Sequence, residues 1–174
     1  MSLNGAKVLG FAAFSGTGKT TLLKQLIPLL KDQGLRVGLI KQSHHDVDID
    51  QPGKDSHVLR LAGASPVMLC SPFRRAVITE HGERRERSLA EELAYFDQAS
   101  VDLILVEGFK QERFPKIELH RPALGLPLLF PDDPAIIAIA ADGPLPAEAP
   151  IPRFDLNAPR PIADFIFSHF HGTH

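Results

Sequence analysis

One cysteine in 174 residues, Cys70 within an apolar run, excludes an intrachain disulfide and a thiolate zinc site. Positive charge is not in excess: 19 Lys and Arg against 21 Asp and Glu leave a net charge of −2, with no basic footprint for nucleic acid. No apolar run approaches the roughly 20 residues of a membrane span. Met1 to Lys7 lacks the apolar stretch and cleavage site of a signal peptide. The expectation is a cytoplasmic chain with neither a nucleic-acid nor a membrane partner. Internal repeats, low-complexity tracts and the spacing of a Ser-His-Asp or Cys-His nucleophilic site are all missing. What remains is ordinary for a globular protein, 44% apolar and 23% charged, and 1–174 is long enough for a single nucleotide-binding domain with a real core.

Apolar β-like runs alternate with helical patterns, which predicts an α/β fold of the P-loop NTPase type, a three-layer sandwich around a mostly parallel sheet. Strands are expected over Lys7–Phe14, Arg36–Lys41, Pro66–Cys70, Ala76–Thr79, Asp102–Val106, Lys116–Leu119 and Ala135–Ala140. Helices are expected over Lys19–Gln33, stopped by Gly34, with Pro28 kinking it or freeing one carbonyl, then Asp55–Ala62, Leu89–Phe96 and Pro161–Phe170. Ser88 with Glu91 reads as a capping box for the third helix. Prolines crowd the stretch from Pro122 to Pro152 and read as stiff connections.

The richest local signal is Ser15-Gly16-Thr17-Gly18-Lys19-Thr20-Thr21, set between an apolar strand pattern and an amphipathic helix pattern. Strand, glycine turn and helix, in that order, form the context of a phosphate-binding loop. Glycines let successive backbone N–H groups point at one centre, and the helix N-terminus adds a partial positive charge there. Lys19 would reach the β- and γ-phosphates and the Thr20 hydroxyl would hold Mg²⁺. The first glycine of G-x-x-x-x-G-K-[ST] falls on Ala13, harmless at negative φ and a problem at positive φ. The plain alternative is a Gly-Lys-Thr turn without a ligand.

Glu107 ends the most buried-looking strand, where α/β sheets open a crevice for ligands, and an acid at that point sits behind the Mg²⁺. Asp102 opens the same strand and belongs at the opposite end of the sheet. Lys41 to Asp50, with His44, His45, Asp46, Asp48 and Asp50, emerges after the second strand. His44 and Asp46 are the candidates for orienting a water, binding a metal or meeting phosphate. In an extended strand Asp46, Asp48 and Asp50 would share a face; a mobile acidic loop is the other reading. Lys54, Asp55, Arg60, Arg74 and Arg75 could meet an anion or simply be solvated. Asp142 follows a strand and could accept the N1–H and exocyclic amine of guanine, although the rest of an Asn-Lys-x-Asp motif is missing.

Taken together, Ala13–Thr21, Gly38–Lys41, His44-His45-Asp46, Pro52–Ser56, Ala62-Gly63-Ala64 and Leu103–Lys110 resemble the molybdopterin-guanine dinucleotide biosynthesis protein B family. The resemblance runs to about Lys116 and returns weakly at Ile136–Asp142 and Ala163–Phe165. It implies a P-loop protein that binds GTP and Mg²⁺, hydrolyses GTP weakly at most and forms a homodimer. It also implies a partner, the molybdopterin guanylyltransferase that joins GMP to molybdopterin. By resemblance the phosphate loop maps to Ser15–Thr21 and the acidic strand end to Glu107, and alanine at position 13 is tolerated. A P-loop small-molecule kinase, with Asp46 or Asp48 activating the acceptor, and a metal-insertion NTPase built on His44-His45-Asp46 are the competing readings.

Overall fold

A computed structural model describes residues 6–43, 45–145 and 148–172. In chain order its elements are β1 (Lys7–Ala12), α1 (Lys19–Asp32), β2 (Val37–Lys41), α2 (Asp55–Leu61), β3 (Val67–Cys70), β4 (Arg75–Ile78), α3 (Leu89–Tyr95), β5 (Leu103–Glu107), β6 (Lys116–His120), β7 (Ile136–Ala141), β8 (Arg153–Asp155) and α4 (Pro159–His171). Contacts gather into two compact units. One is built from the chain before residue 43 and after residue 87, the other from 43–87.

The first unit carries a six-stranded sheet in the order β2-β5-β1-β6-β7-β8, with every neighbouring pair parallel. This is the α/β, P-loop NTPase-type architecture that the alternating pattern predicts. Period-two alternation sorts β5 between two cores. Leu103 and Leu105 pack with Leu22, Leu26 and Leu30 of α1 and Ile162 and Ile166 of α4. Ile104 and Val106 pack on the other side with Leu89 and Leu93 of α3. From β1 the chain crosses to the edge strand β2 and later fills the opposite side with β6, β7 and β8. The strand order therefore reverses at β1, and its carboxyl end opens the crevice of a doubly wound sheet.

Pro28 lies inside α1, which continues to Asp32. Gly34 follows at φ +92°, and the Leu35 N–H donates to the Leu30 carbonyl at 3.1 Å, a left-handed helix stop. The Ser88–Glu91 capping box is present at α3. At the amino end of β5, the Arg36 fork grips both Asp102 oxygens, at 2.7 and 3.0 Å, and the Arg36 backbone N–H adds a third bond at 2.8 Å. The side-chain bond from Arg36 leads in lowering the Asp102 carboxyl to about 2. A group lowered in this way favours folding above the usual carboxylate range, and that contribution disappears as pH falls through about 2. In Arg36→Ala the Asp102 carboxyl resonance, followed by ¹³C NMR, is expected to titrate back near the ordinary value of about 3.9.

β6 departs from the usual buried strand. Ile117 and Leu119 join the α1–α4 core, whereas Lys116, Glu118 and His120, which alternation puts on the opposite face, are also buried. The connections on either side of β6 satisfy two of them. Lys116 Nζ donates to the carbonyls of Lys110 and Glu112 and pairs with Asp133 at 2.8 Å. Glu118 accepts the backbone N–H groups of Leu129 and Phe130, each at 2.8 Å. The proline-rich stretch thus lies bonded on β6, because its own N–H groups need partners once buried. β8 has no counterpart in the sequence pattern: Arg-Phe-Asp between prolines is too short and polar to show a period.

The second unit contains α2 and an antiparallel β3–β4 hairpin pairing Val67 with Ile78 and Cys70 with Arg75. Its leading residues form a loop rather than an extended strand. Asp48 accepts two bonds of 2.8 Å from Arg60, and Glu80 takes another Arg60 nitrogen at 2.5 Å. Asp50 accepts the Ser56 hydroxyl at 3.0 Å. Asp48 is held below the usual carboxylate range by the Asp50 N–H first and by Arg60 next. Among the described residues no helix is long and apolar enough to cross a membrane.

Candidate functional site

β1 delivers the chain into the glycine loop at the point where the strand order reverses. Among the described residues, Phe109 is the one non-glycine with positive φ, so Ala13 keeps an ordinary backbone and no glycine is required there. Gly16 at φ +81° and Gly18 at φ +96° make the curl. Thr17 is buried, and its hydroxyl donates to the Phe14 carbonyl at 2.7 Å, bracing the loop from inside. Ser15, Gly16, Thr20 and Thr21 are exposed. Gly18 caps α1, whose first N–H groups have no partner within the helix and carry the positive end of its dipole.

Register brings the acid to this loop: Glu107 lies level with Phe11 of β1 and with Lys41 of β2. Its Oε1 stands 3.3 Å from Lys19 Nζ and 3.7 Å from Lys41 Nζ. Carboxylate and hydroxyl oxygens are the donors a hard divalent cation takes, and Glu107 and Thr20 supply one of each. Lysines hold the carboxylate where such an ion could replace them.

Three further cations at this end have no counterpart in the motif reading. Lys41 is the first. Lys110 is the second, with its ammonium 5.7 Å from the centre of the Phe14 ring. Partial burial lowers its pKa first, and the charge of Lys19 lowers it further. The turn that places Lys110 is specified closely. Gly108 has φ +111°, and a Cβ there would lie 2.5 Å from Gln42 Cβ. The Gln42 side chain accepts the Phe109 N–H at 2.8 Å. Arg121 is the third: its Nε donates to the Thr17 carbonyl at 2.7 Å, and its guanidinium pairs with Asp142. Asp142 directly follows β7, on the same side of the sheet as the loop. A register argument places Arg121 one residue past β6, but only once β6 is known to neighbour β1.

His44 lies outside the described residues. Asp46 is exposed on the second unit, and Arg60 is engaged within that unit by Asp48 and Glu80. No group of three or more His, Cys, Asp or Glu able to hold a metal ion occurs among the described residues.

A parallel sheet with a glycine loop after its central strand and a lysine at the following helix start defines an α/β protein of the P-loop NTPase type. Comparison with known proteins narrows the class. Residues 8–142 match the family model described as molybdopterin guanine dinucleotide synthesis protein B, MobB. The chain is 47% identical over 160 residues to the molybdopterin-guanine dinucleotide biosynthesis adapter protein of Escherichia coli (strain K12), covering 91% of this chain and 90% of that protein. Against the protein of the same name from Haemophilus influenzae it is 43% identical, covering 98% and 94%. The crystal structure of Bacillus subtilis MobB has the same fold, with a TM-score of 0.72 at 22% identity over 96% of this chain and 99% of that one. The chain belongs to the MobB family.

Proposed function

We propose that this chain is a GTP-binding accessory protein of molybdenum cofactor biosynthesis. It assists the guanylyltransferase that forms molybdopterin guanine dinucleotide, and hydrolyses GTP weakly at most. The observation that carries the reading is a phosphate site of surplus positive charge: Lys19 and Lys41 meet the single carboxylate of Glu107, with Lys110 alongside. That arrangement holds a polyphosphate firmly and suits nucleotide-gated binding or delivery. The names of the two close relatives support the pathway.

In this reading Ser15–Thr21 hold the phosphates, Thr20 and Glu107 hold Mg²⁺, and Asp142 accepts the guanine edge. His44 and Asp46 are the candidates for orienting a water in slow hydrolysis. The protein acts in the cytoplasm as a homodimer. Apolar side chains left exposed on the second unit, among them Leu59, Leu61, Met68, Phe73 and Val77, support self-association.

The test combines calorimetry with GTP and ATP, single-turnover assays, and a pull-down with the guanylyltransferase. GTP binding, slow turnover and capture of the transferase are expected. ATP preference without capture overturns the proposal, and phosphate transfer to a small acceptor at about 1–100 s⁻¹ would mark a kinase instead. Glu107→Gln is expected to weaken binding in Mg²⁺ by at least about tenfold and to change Mg²⁺-free binding far less. Equal losses in the two conditions would place Glu107 away from the metal.

A further inference from the structure

The cation that joins the two ends of the nucleotide site is Arg121. Its Nε bond to Thr17 fixes it to the phosphate loop, and its ion pair with Asp142 fixes the end of β7 to the same point. The guanidinium lies so close over Gly18 that a Cβ there would stand 3.1 Å from one of its nitrogens. Gly18 thus answers two demands, a left-handed backbone and room for Arg121. The Asp142 side chain is about 20% exposed and lines a cleft of about 570 Å³ with Gly143, Arg153, Asp155 and Asn157. Arg153 donates to the Gly143 carbonyl at 2.6 Å and steadies the rim of that cleft.

We propose that Arg121 is a specificity-determining positioning residue: it orients Asp142 to read the base and sets that carboxylate at a fixed distance from the phosphate loop. The proposal rests on the guanine reading of the site. A carboxylate offers two oxygens and about four lone-pair positions. Arg121 NH1 engages Oδ2, leaving Oδ1 and further lone pairs for the paired N1–H and N2–H donors of guanine. Adenine presents no such pair of donors. Without the guanidinium the Asp142 side chain would sample several rotamers, and ordering it would cost affinity in the bound state. Lysine would keep the charge but lose the planar fork that bonds Thr17 and Asp142 at once.

The experiment measures dissociation constants for GTP, ATP and inorganic triphosphate on the full chain, for the wild type and for Arg121→Lys, Asp142→Asn and the double variant, with thermal melting to verify folding. Should Arg121→Lys fail to fold, Arg121→Gln serves as a second variant and is read by the ratio of GTP to ATP affinity alone, because it also removes a charge beside the loop. Arg121→Lys is expected to lower the preference for GTP over ATP at least tenfold while triphosphate affinity stays within threefold. In the Asp142→Asn background, where discrimination is already lost, it should have no further effect. Parallel losses for all three ligands, unchanged discrimination, or additive effects in the double variant overturn the proposal. If the wild type discriminates, Asp142→Asn abolishes that and Arg121→Lys does not, only the role of Arg121 fails. If the wild type shows no preference and Asp142→Asn changes nothing, the guanine reading fails and takes this inference with it.

Discussion

Lys19→Ala is expected to reduce GTP affinity by at least about 100-fold and to leave the protein folded. Removing a charge that meets phosphate in a partly enclosed site costs about 2–5 kcal/mol, and each 1.4 kcal/mol is a factor of ten. Folding is spared for two reasons. Glu107, which loses Lys19 at 3.3 Å, still has Lys41 at 3.7 Å, so no carboxylate is left without a cation. The seat of α1 is apolar, formed by Leu22, Leu23, Leu26 and Leu30, and the substitution leaves all four in place. Calorimetry with GTP and a melting curve decide the matter; unchanged affinity in a folded variant removes the phosphate assignment.

The largest loss of stability is expected at Glu118. Its two acceptor oxygens hold the N–H groups of Leu129 and Phe130, and Glu118→Ala takes the acceptor from both of these part-buried donors. At about 1–3 kcal/mol per orphaned buried group, and at the lower end for donors that are part-buried, the variant should lose about 2–3 kcal/mol, read from urea unfolding. The ionisation of Glu118 also carries a sign. Burial raises its carboxyl above the ordinary value, the Leu129 and Phe130 N–H bonds and the charge of His120 opposing the shift. The unfolded chain therefore releases its proton first, so stability falls as pH rises from the ordinary glutamate range to the raised value and is level above it. Glu118→Gln removes that slope. Asp102 has the opposite sign at more acidic pH, gaining stability as pH rises from about 2, so the two residues separate in a pH series.

These residues also show what was legible in the sequence. The glycine loop was readable because its requirements are local: glycines at φ +81° and +96° and a lysine at a helix start. Glu107 was readable because β5 is an unbroken apolar run and the end of such a strand has a known place in a parallel sheet. Arg121 was not, since its partners depend on β6 lying beside β1, a matter of sheet order that no local pattern states. Lys116, Glu118 and His120 look like the wet face of a half-exposed strand. All three are buried, and the loops on either side of β6 supply polar partners to Lys116 and Glu118. Asp48 and Asp50 lie in the stretch that follows β2, yet Arg60, further along the chain, decides where they point.

The strand order has a consequence for how the chain is made. β1 leaves the ribosome well before both of its sheet neighbours, β5 and β6, which lie in the later half of the sequence. Until that half has been synthesised, the glycine loop is tethered to a strand without partners, and its apolar flanks have no sheet to join. The nascent chain therefore passes through a long interval with sticky, unpaired segments, during which holding chaperones have their opportunity. Glu107 and Arg121 belong to that later half as well, so the charges gathered at the loop assemble only after it has been made.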